Sequence, residues 1–293
     1  MRILVTGKNG QLGRSIRKIV DEKKISNLIN YEFVFIGRDE LNLEHIGSIK
    51  PYFDDNEFNI IINCAAFTKV DKAEENQQQA NLINHTAVRE LAIIAKTNSI
   101  KLIHISTDFV FNGFKQSPYT ENDATSPINI YGETKLAGEL ALMETMSSNS
   151  LIIRTGWVFS EFGSNFVKTI LNLGMKNNTL DVVSDQFGTP TYAYDLAFSI
   201  LYIATSEKFL ENNKPSEIFH YSNKGKSSWY EFAKEIISIS GTNCELNPII
   251  TKDYPLPAKR PKYSILSSKK ISETYGIKIE HWKDALKGCL KKL

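Results

Sequence analysis

The chain has few cysteines and no long apolar run, and its charges nearly cancel. Its three cysteines, Cys64, Cys244 and Cys289, are odd in number and far apart, and no CxxC pair exists. They announce neither a disulfide framework nor a zinc knuckle, and a reducing, cytoplasmic setting is expected. The five histidines, His45, His85, His104, His220 and His281, lack metal-ligand spacing. No metal site is therefore expected, while Mg2+ stays open. The longest apolar-rich stretch, Ile60 to Phe67, is broken by Asn63. It is less than half of the roughly 20 residues that a membrane helix needs. After Met1-Arg2 only Ile3-Leu4-Val5 precedes Thr6-Gly7, too short for a signal-peptide core. Lys and Arg number 35 against 33 Asp and Glu, a surplus too small for a protein that coats nucleic acid or clings to an acidic membrane. Neither partner is expected. With 42% hydrophobic and 23% charged residues, 9 prolines and 16 glycines, collagen-like, low-complexity and wholly disordered chains are excluded.

What is there alternates. Short β-branched runs at 3–6, 33–36, 60–63, 102–105 and 151–153 read as buried parallel strands. Between them lie stretches of helical spacing, one with Ala87, Leu91, Ile94 and Ala95 on a single face and one from Tyr131 to about Met146. This rhythm predicts an α/β fold, a doubly wound parallel sheet with ligands at the carboxyl ends of its strands. Beyond Trp157 the rhythm changes. Helices are expected at about 165–175, 192–206, 228–239 and 281–291, with strands near 180–183 and 218–221. Residues 1–156 thus read as one domain and 157–293 as a smaller C-terminal α/β lobe, of which 192–206 is free to pack back on the first.

Gly7-Lys8-Asn9-Gly10-Gln11-Leu12-Gly13 joins the first strand to a helix whose inner face carries Ile16, Ile19 and Val20. Glycines permit a tight turn and let a pyrophosphate reach the backbone, and the helix N-terminus adds unpaired N–H groups. The GxxGxxG spacing points to a dinucleotide. The second strand ends Ile36-Gly37-Arg38-Asp39. Arg38 suits the 2′-phosphate of NADPH, whereas Asp39 would tolerate NADH. Small residues in Asn63-Cys64-Ala65-Ala66 allow the cofactor to pass closely. Ala65, Ala66, Phe67 and Thr68 join Gly7, Gly10, Gln11, Leu12, Gly13, Arg38 and Asp39 as expected cofactor contacts.

A tyrosine four residues before a lysine sets both heads on one helix face, where the ammonium can lower the phenol's pKa. Such a phenol gives or takes a proton at a reacting oxygen. Two pairs fit, Tyr131/Lys135 and Tyr230/Lys234. Tyr131 opens a helix near Ser106-Thr107-Asp108, at the carboxyl end of a strand, and is the catalytic candidate. Tyr230 sits in Ser228-Trp229-Tyr230-Glu231-Phe232, where the neighbouring aromatics suggest packing.

The order Gly7-x-x-Gly10-x-x-Gly13, Thr107, Tyr131-x-x-x-Lys135 resembles an extended short-chain dehydrogenase/reductase of Rossmann fold. Further stretches resemble the dTDP-4-dehydrorhamnose reductase family. They include Asn63-Cys64-Ala65-Ala66-x-Thr68-x-Val70-Asp71, Ser106-Thr107-Asp108-Phe109-Val110-Phe111, Tyr131-Gly132-x-Thr134-Lys135-Leu136-x-Gly138-Glu139, Arg154-Thr155-x-Trp157-Val158, Asp185-Gln186-x-Gly188-x-Pro190-Thr191 and Arg260-Pro261-x-x-Ser264-x-Leu266. Phe67, Phe109, Ser267 and Asn42 depart from the family's usual residues. The resemblance implies hydride transfer from NAD(P)H to the 4-keto carbon of dTDP-4-dehydro-L-rhamnose, towards rhamnose for a surface polysaccharide. It implies Tyr131 as proton donor, Lys135 as its electrostatic partner and Thr107 as a donor to the same oxygen. It implies Asp108 and Trp157 as sugar contacts. Asn165 and Arg260, in the cluster Lys259-Arg260-Pro261-Lys262, could hold the diphosphate, and the cluster reads equally as a solvated basic loop. A homodimer stays open, as do a reductase of another nucleotide deoxysugar and a non-catalytic NADP-binding subunit. A dehydratase is disfavoured, because Phe109 stands where elimination needs an acid.

Overall fold

A strand that is apolar at every position can be satisfied only between two covering layers, and the chain builds that arrangement. The computed structural model describes residues 1–293, the side chains of Ser26 and Asn27 excepted. Six strands, β1 (Arg2–Thr6), β2 (Glu32–Ile36), β3 (Ile60–Asn63), β4 (Lys101–Thr107), β5 (Ser150–Thr155) and β6 (Glu217–His220), form one sheet. All pairs are parallel and the order is β6-β5-β4-β3-β1-β2. The order reverses beside β1, which opens a crevice at the carboxyl ends of β1 and β3. The helices that matter are α1 (Gln11–Asp21), α2 (Ala87–Thr97), α3 (Ile130–Thr145), α4 (Phe166–Gly174), α5 (Ala193–Ala204), α6 (Trp229–Ser240) and α7 (Trp282–Leu290).

On one face Ile3, Val5, Ile60, Ile62, Ile103 and Ile153 pack against Ile16 and Ile19 of α1 and Leu196 and Ile200 of α5. On the other, Leu4, Ile61, Leu102 and Ile152 meet Val88 and Leu91 of α2 and Leu142 of α3. A third core joins α4, α6 and α7 through Val167, Ile170, Phe232, Ile236, Trp282 and Leu286. It leans on a parallel pair of strands, Thr179–Val183 and Glu245–Ile249.

One placement differs from expectation. The strand foreseen at 218–221 in the smaller lobe is β6, the edge of the large sheet beside β5. Phe219 belongs to one sheet core and Ile218 packs on the other. A strand apolar on both faces needs two covering layers, which the lobe's two-stranded pairs do not offer.

Candidate active site

A cavity of about 820 Å³ occupies the crevice, lined by the β1–α1 turn, the ends of β3, β4 and β5, and the segment 156–165. Gly7 has φ +71°, in the left-handed region that a side chain resists. A Cβ on Gly13 would stand 2.3 Å from the Gly7 carbonyl oxygen, so the turn closes only around a bare Cα. Gly10 caps α1 without a side-chain bond, leaving first-turn N–H groups for an anion. This cradle fits a dinucleotide pyrophosphate.

Several expected contacts line the cavity: Gly7, Gly10, Gln11, Leu12, Gly13, Arg38, Ala65, Ala66 and Thr68. Arg38 is largely exposed and pairs with Glu44 at 3.1 Å. Asp39 and Phe67 lie outside the lining. Phe67 is held instead by Asn84, whose Oδ1 accepts from its amide at 2.9 Å and whose Nδ2 donates to its carbonyl at 3.2 Å. Asn84 sits in a π-helical turn, Leu82–Thr86, and its carbonyl oxygen would be 2.1 Å from a Cβ on Gly138. Small residues on α3 thus let that helix approach closely.

The start of α3 is braced from three directions. Asn129 accepts from the Gly132 amide at 2.8 Å and donates to the Lys259 carbonyl at 2.7 Å, while Glu74 accepts from the Ile130 amide at 3.0 Å. Tyr131 consequently faces Thr107, with its ring edge-on to Phe109 at 5.6 Å. Lys135, fully buried, donates to the Ile105 carbonyl at 2.6 Å and lies 3.3 Å from His104 Nε2. Burial brings the Lys135 ammonium down to about 8. Burial also pushes the Tyr131 phenol up to about 12, opposite to the lowering expected from a neighbouring ammonium. Taking the phenolate out of water costs more here than the hydrogen bond with Thr107 returns.

Thr107 accepts from the Phe109 amide at 3.2 Å and donates to Asp108 Oδ1 at 3.1 Å. Burial lifts the Asp108 carboxyl to about 6. Asp108 Oδ2, Ser106 Oγ and Thr155 Oγ1 are buried without a partner, and all three residues line the cavity. Unpaired polar atoms buried in residues that line one space suit a polar ligand there. Trp157 holds φ +52° and stacks on Trp229 with ring centroids 3.4 Å apart and planes 3° off parallel, presenting a fixed aromatic wall. Tyr230 packs at the edge of the lobe's own core.

Two diphosphate candidates are committed elsewhere. Arg260 is outside the lining; its Nη1 and Nη2 bind Asp71 at 2.6 and 2.5 Å. That pair keeps the Asp71 carboxyl below its usual range and ties the 258–260 loop to the short helix Val70–Glu75. Asn165 lines the cavity, but its amide donates to Gln11 Oε1 at 2.9 Å and the Ser160 carbonyl at 2.8 Å while its oxygen caps α4. Sequence spacing pointed to no role for Asn84, and none was assigned to Ser106 or Thr155 within the stretches that contain them. The only available signal was a polar residue breaking an apolar strand or helix. Among the described residues no three His, Cys, Asp or Glu side chains gather as a metal site, and no helix is long and apolar enough to cross a membrane.

A family model described as the RmlD substrate binding domain matches residues 1–293. The chain is 37% identical over 289 residues to a dTDP-4-dehydrorhamnose reductase from Sinorhizobium fredii, covering 97% of this chain and 95% of that protein. Its fold matches a dTDP-4-dehydrorhamnose reductase from Clostridium acetobutylicum with a TM-score of 0.91 and 38% identity, covering 100% of this chain and 99% of that one. The corresponding enzyme of Bacillus anthracis, solved in complex with NADP, matches with a TM-score of 0.90 and 33% identity over 100% and 99% of the two chains. Sharing both sequence and fold along its whole length, the chain belongs to the RmlD substrate-binding-domain family, that of the dTDP-4-dehydrorhamnose reductases.

Proposed function

We propose that the chain reduces the 4-keto group of dTDP-4-dehydro-L-rhamnose with NADPH, giving dTDP-L-rhamnose for a rhamnose-containing surface polysaccharide. The observation that carries this reading is the meeting of Thr107, Tyr131 and Lys135 at the end of a glycine cradle, beside three unpaired buried polar atoms. NADPH, when bound, supplies the hydride that adds to C4. The remaining work falls to the chain. Gly7, Gly10 and Gly13, with the amides of Gln11 and Leu12, hold the pyrophosphate, and Arg38 turns from Glu44 to the 2′-phosphate. Ala65, Ala66 and Thr68 form the wall along which the cofactor lies.

Tyr131 gives its phenolic proton to O4 as the carbonyl becomes an alcohol. Burial keeps that phenol protonated through neutral pH, as an acid catalyst requires. Lys135 stabilises the negative charge left on the phenol oxygen. Thr107 swings its O–H from Asp108 to O4, and Asp108, so released, faces a sugar hydroxyl. Trp157 lines the sugar's part of the cavity, its ring fixed against Trp229. Asn165 and Arg260 act indirectly, as joints. Residues 1–156 serve the cofactor and 157–293 mainly the sugar nucleotide. We place the enzyme in the cytoplasm, where both nucleotides are kept.

The test is NADPH consumption with dTDP-4-dehydro-L-rhamnose. The wild-type protein is expected to turn over, and Tyr131→Phe to lose about 10²–10⁴-fold in kcat while binding NADPH normally. Turnover of a different 4-keto nucleotide sugar alone would move the substrate. An unimpaired Tyr131→Phe would remove the tyrosine from the chemistry.

A further inference from the structure

Four polar side chains cross the interior of the sheet in a line. Thr6, Asn63 and His104 are register partners on β1, β3 and β4, so their side chains stand abreast on the face covered by α2 and α3. All three are buried. The rest of that face is filled by residues such as Leu4, Ile61 and Leu102, and polar groups there are costly unless paired. They are paired. The Ala65 amide donates to Thr6 Oγ1 at 3.1 Å, and the Thr6 hydroxyl donates to Asn63 Oδ1 at 2.7 Å. Asn63 Nδ2 lies 3.1 Å from His104 Nδ1, and His104 Nε2 lies 3.3 Å from Lys135 Nζ.

The direction of this row is set by its first member. A backbone N–H can only donate, so Thr6 Oγ1 accepts from Ala65, and against the Asn63 carbonyl oxygen the hydroxyl is the partner with a proton to give. The 2.7 Å separation is that of an O–H···O bond and shorter than a usual N–H···O bond. The Asn63 amide nitrogen then faces His104, and Nδ1 must accept. Burial and the nearby Lys135 hold the imidazole neutral, and a neutral ring that accepts at Nδ1 carries its proton on Nε2. That proton points at Lys135. An ammonium has three donors and nothing to accept with, whereas an amine has a lone pair.

The other titratable groups around the amine are Cys64 at the end of β3 and Tyr131 and Glu139 on α3 itself. Glu139 is taken by Arg154 of β5 at 2.6 Å, and Asp108 faces Tyr131. Among the described residues the hydrogen-bonding neighbours of Lys135 Nζ are His104 and the Ile105 carbonyl.

We propose that His104 is a positioning residue. Oriented by Asn63, Thr6 and the Ala65 amide, it presents Nε2–H to Lys135 and favours the neutral amine, linking the backbone beside the cofactor to the protonation of the lysine. The proposal rests on the reductase reading of Tyr131 and Lys135. In that reading, losing the ammonium weakens the support for charge on Tyr131, so the alkaline limb of kcat reports Lys135.

Asn63→Asp keeps the shape and reverses the middle link. Its carboxylate accepts from both Thr6 and Nδ1–H, which leaves Nε2 as an acceptor for the ammonium. Long-range ¹H–¹⁵N correlation spectra of the histidine rings read the tautomer without turnover, with the His104 signals assigned by their loss in His104→Gln. The expected result is Nε2–H in the wild-type protein and Nδ1–H in Asn63→Asp, with the alkaline limb of kcat raised by about one pH unit, the worth of a single hydrogen bond. Should Asn63→Asp not fold, His104→Gln serves, because its amide can turn an oxygen to the ammonium and raise the limb likewise. A wild-type Nδ1–H tautomer, or a limb unmoved in folded, active variants, overturns the proposal. A wild-type Nε2–H tautomer in a protein that does not reduce the keto-sugar overturns the reductase reading and leaves the tautomer assignment standing.

Discussion

At the scale of single residues, Asp108 holds its charge in the cavity only at a cost. Its carboxyl titrates near 3.8 when unfolded and about 6 when buried. The folded state therefore binds the proton more tightly, and the contribution to stability is fully present below the unfolded value and lost as pH rises through 6. At pH 7 the buried carboxylate costs about 3 kcal/mol, the worth of roughly two pH units. Asp108→Asn is expected to raise unfolding free energy at pH 7 by about 1–2 kcal/mol, since part of the gain goes to seating the amide. Urea titrations at pH 7 and pH 4 check this: the advantage should be absent at pH 4, and an equal gain at both would refute it. Turnover should fall, because the proposed function makes Asp108 a contact of the sugar. The pair Tyr131 and Lys135 was legible in sequence because its chemistry lies in a short spacing, and Thr107 because it ends a strand. Arg260 was not, for its partner Asp71 is 189 residues away. His104 and Asn63 were hidden because a polar residue inside a strand looks like a lapse in the core until its register neighbours are known.

At the scale of elements, the wall for the sugar depends on how α6 begins. Ser228 accepts from the Glu231 amide while Glu231 returns a bond to the Ser228 amide, and the helix stops at Gly241 in the left-handed conformation. Trp229, the first residue of α6, stacks on Trp157 and donates to Gln186 at 3.2 Å. Ser228→Ala is expected to cost about 1 kcal/mol of stability. It should also raise KM for the sugar nucleotide while leaving NADPH affinity unchanged, which steady-state kinetics and cofactor titration separate. The helices of the smaller lobe were readable from apolar spacing because each buries one stripe. The strand pairs at 158–159 with 191–192 and 187–188 with 227–228 were not. Two residues carry no period, and their pairing comes from the loops around them.

At the scale of the whole molecule, the chain leaves the sheet after β5, begins the lobe with α4, returns to finish the sheet with β6, and goes back to complete the lobe with α6 and α7. α5 then covers α1, and β6 covers the edge of β5. A chain ended after Gly156 would expose Leu196's and Ile200's packing partners on α1 together with an unpaired, fully buried strand. It is expected to show no cooperative thermal transition, whereas the full chain shows one; a sharp melt of the shorter chain would establish residues 1–156 as self-sufficient. Gln11 gives this interdependence a kinetic form. Its backbone stands at the α1 terminus where the pyrophosphate would rest, while its side chain bonds the Val158 carbonyl, Ser160 and Asn165 at 3.2, 2.9 and 2.9 Å. The nucleotide that arrives first fixes the root of the segment that receives the second. Catalysis should therefore follow a compulsory order, cofactor on first and off last, with NADP competing against NADPH but not against the sugar in product-inhibition plots.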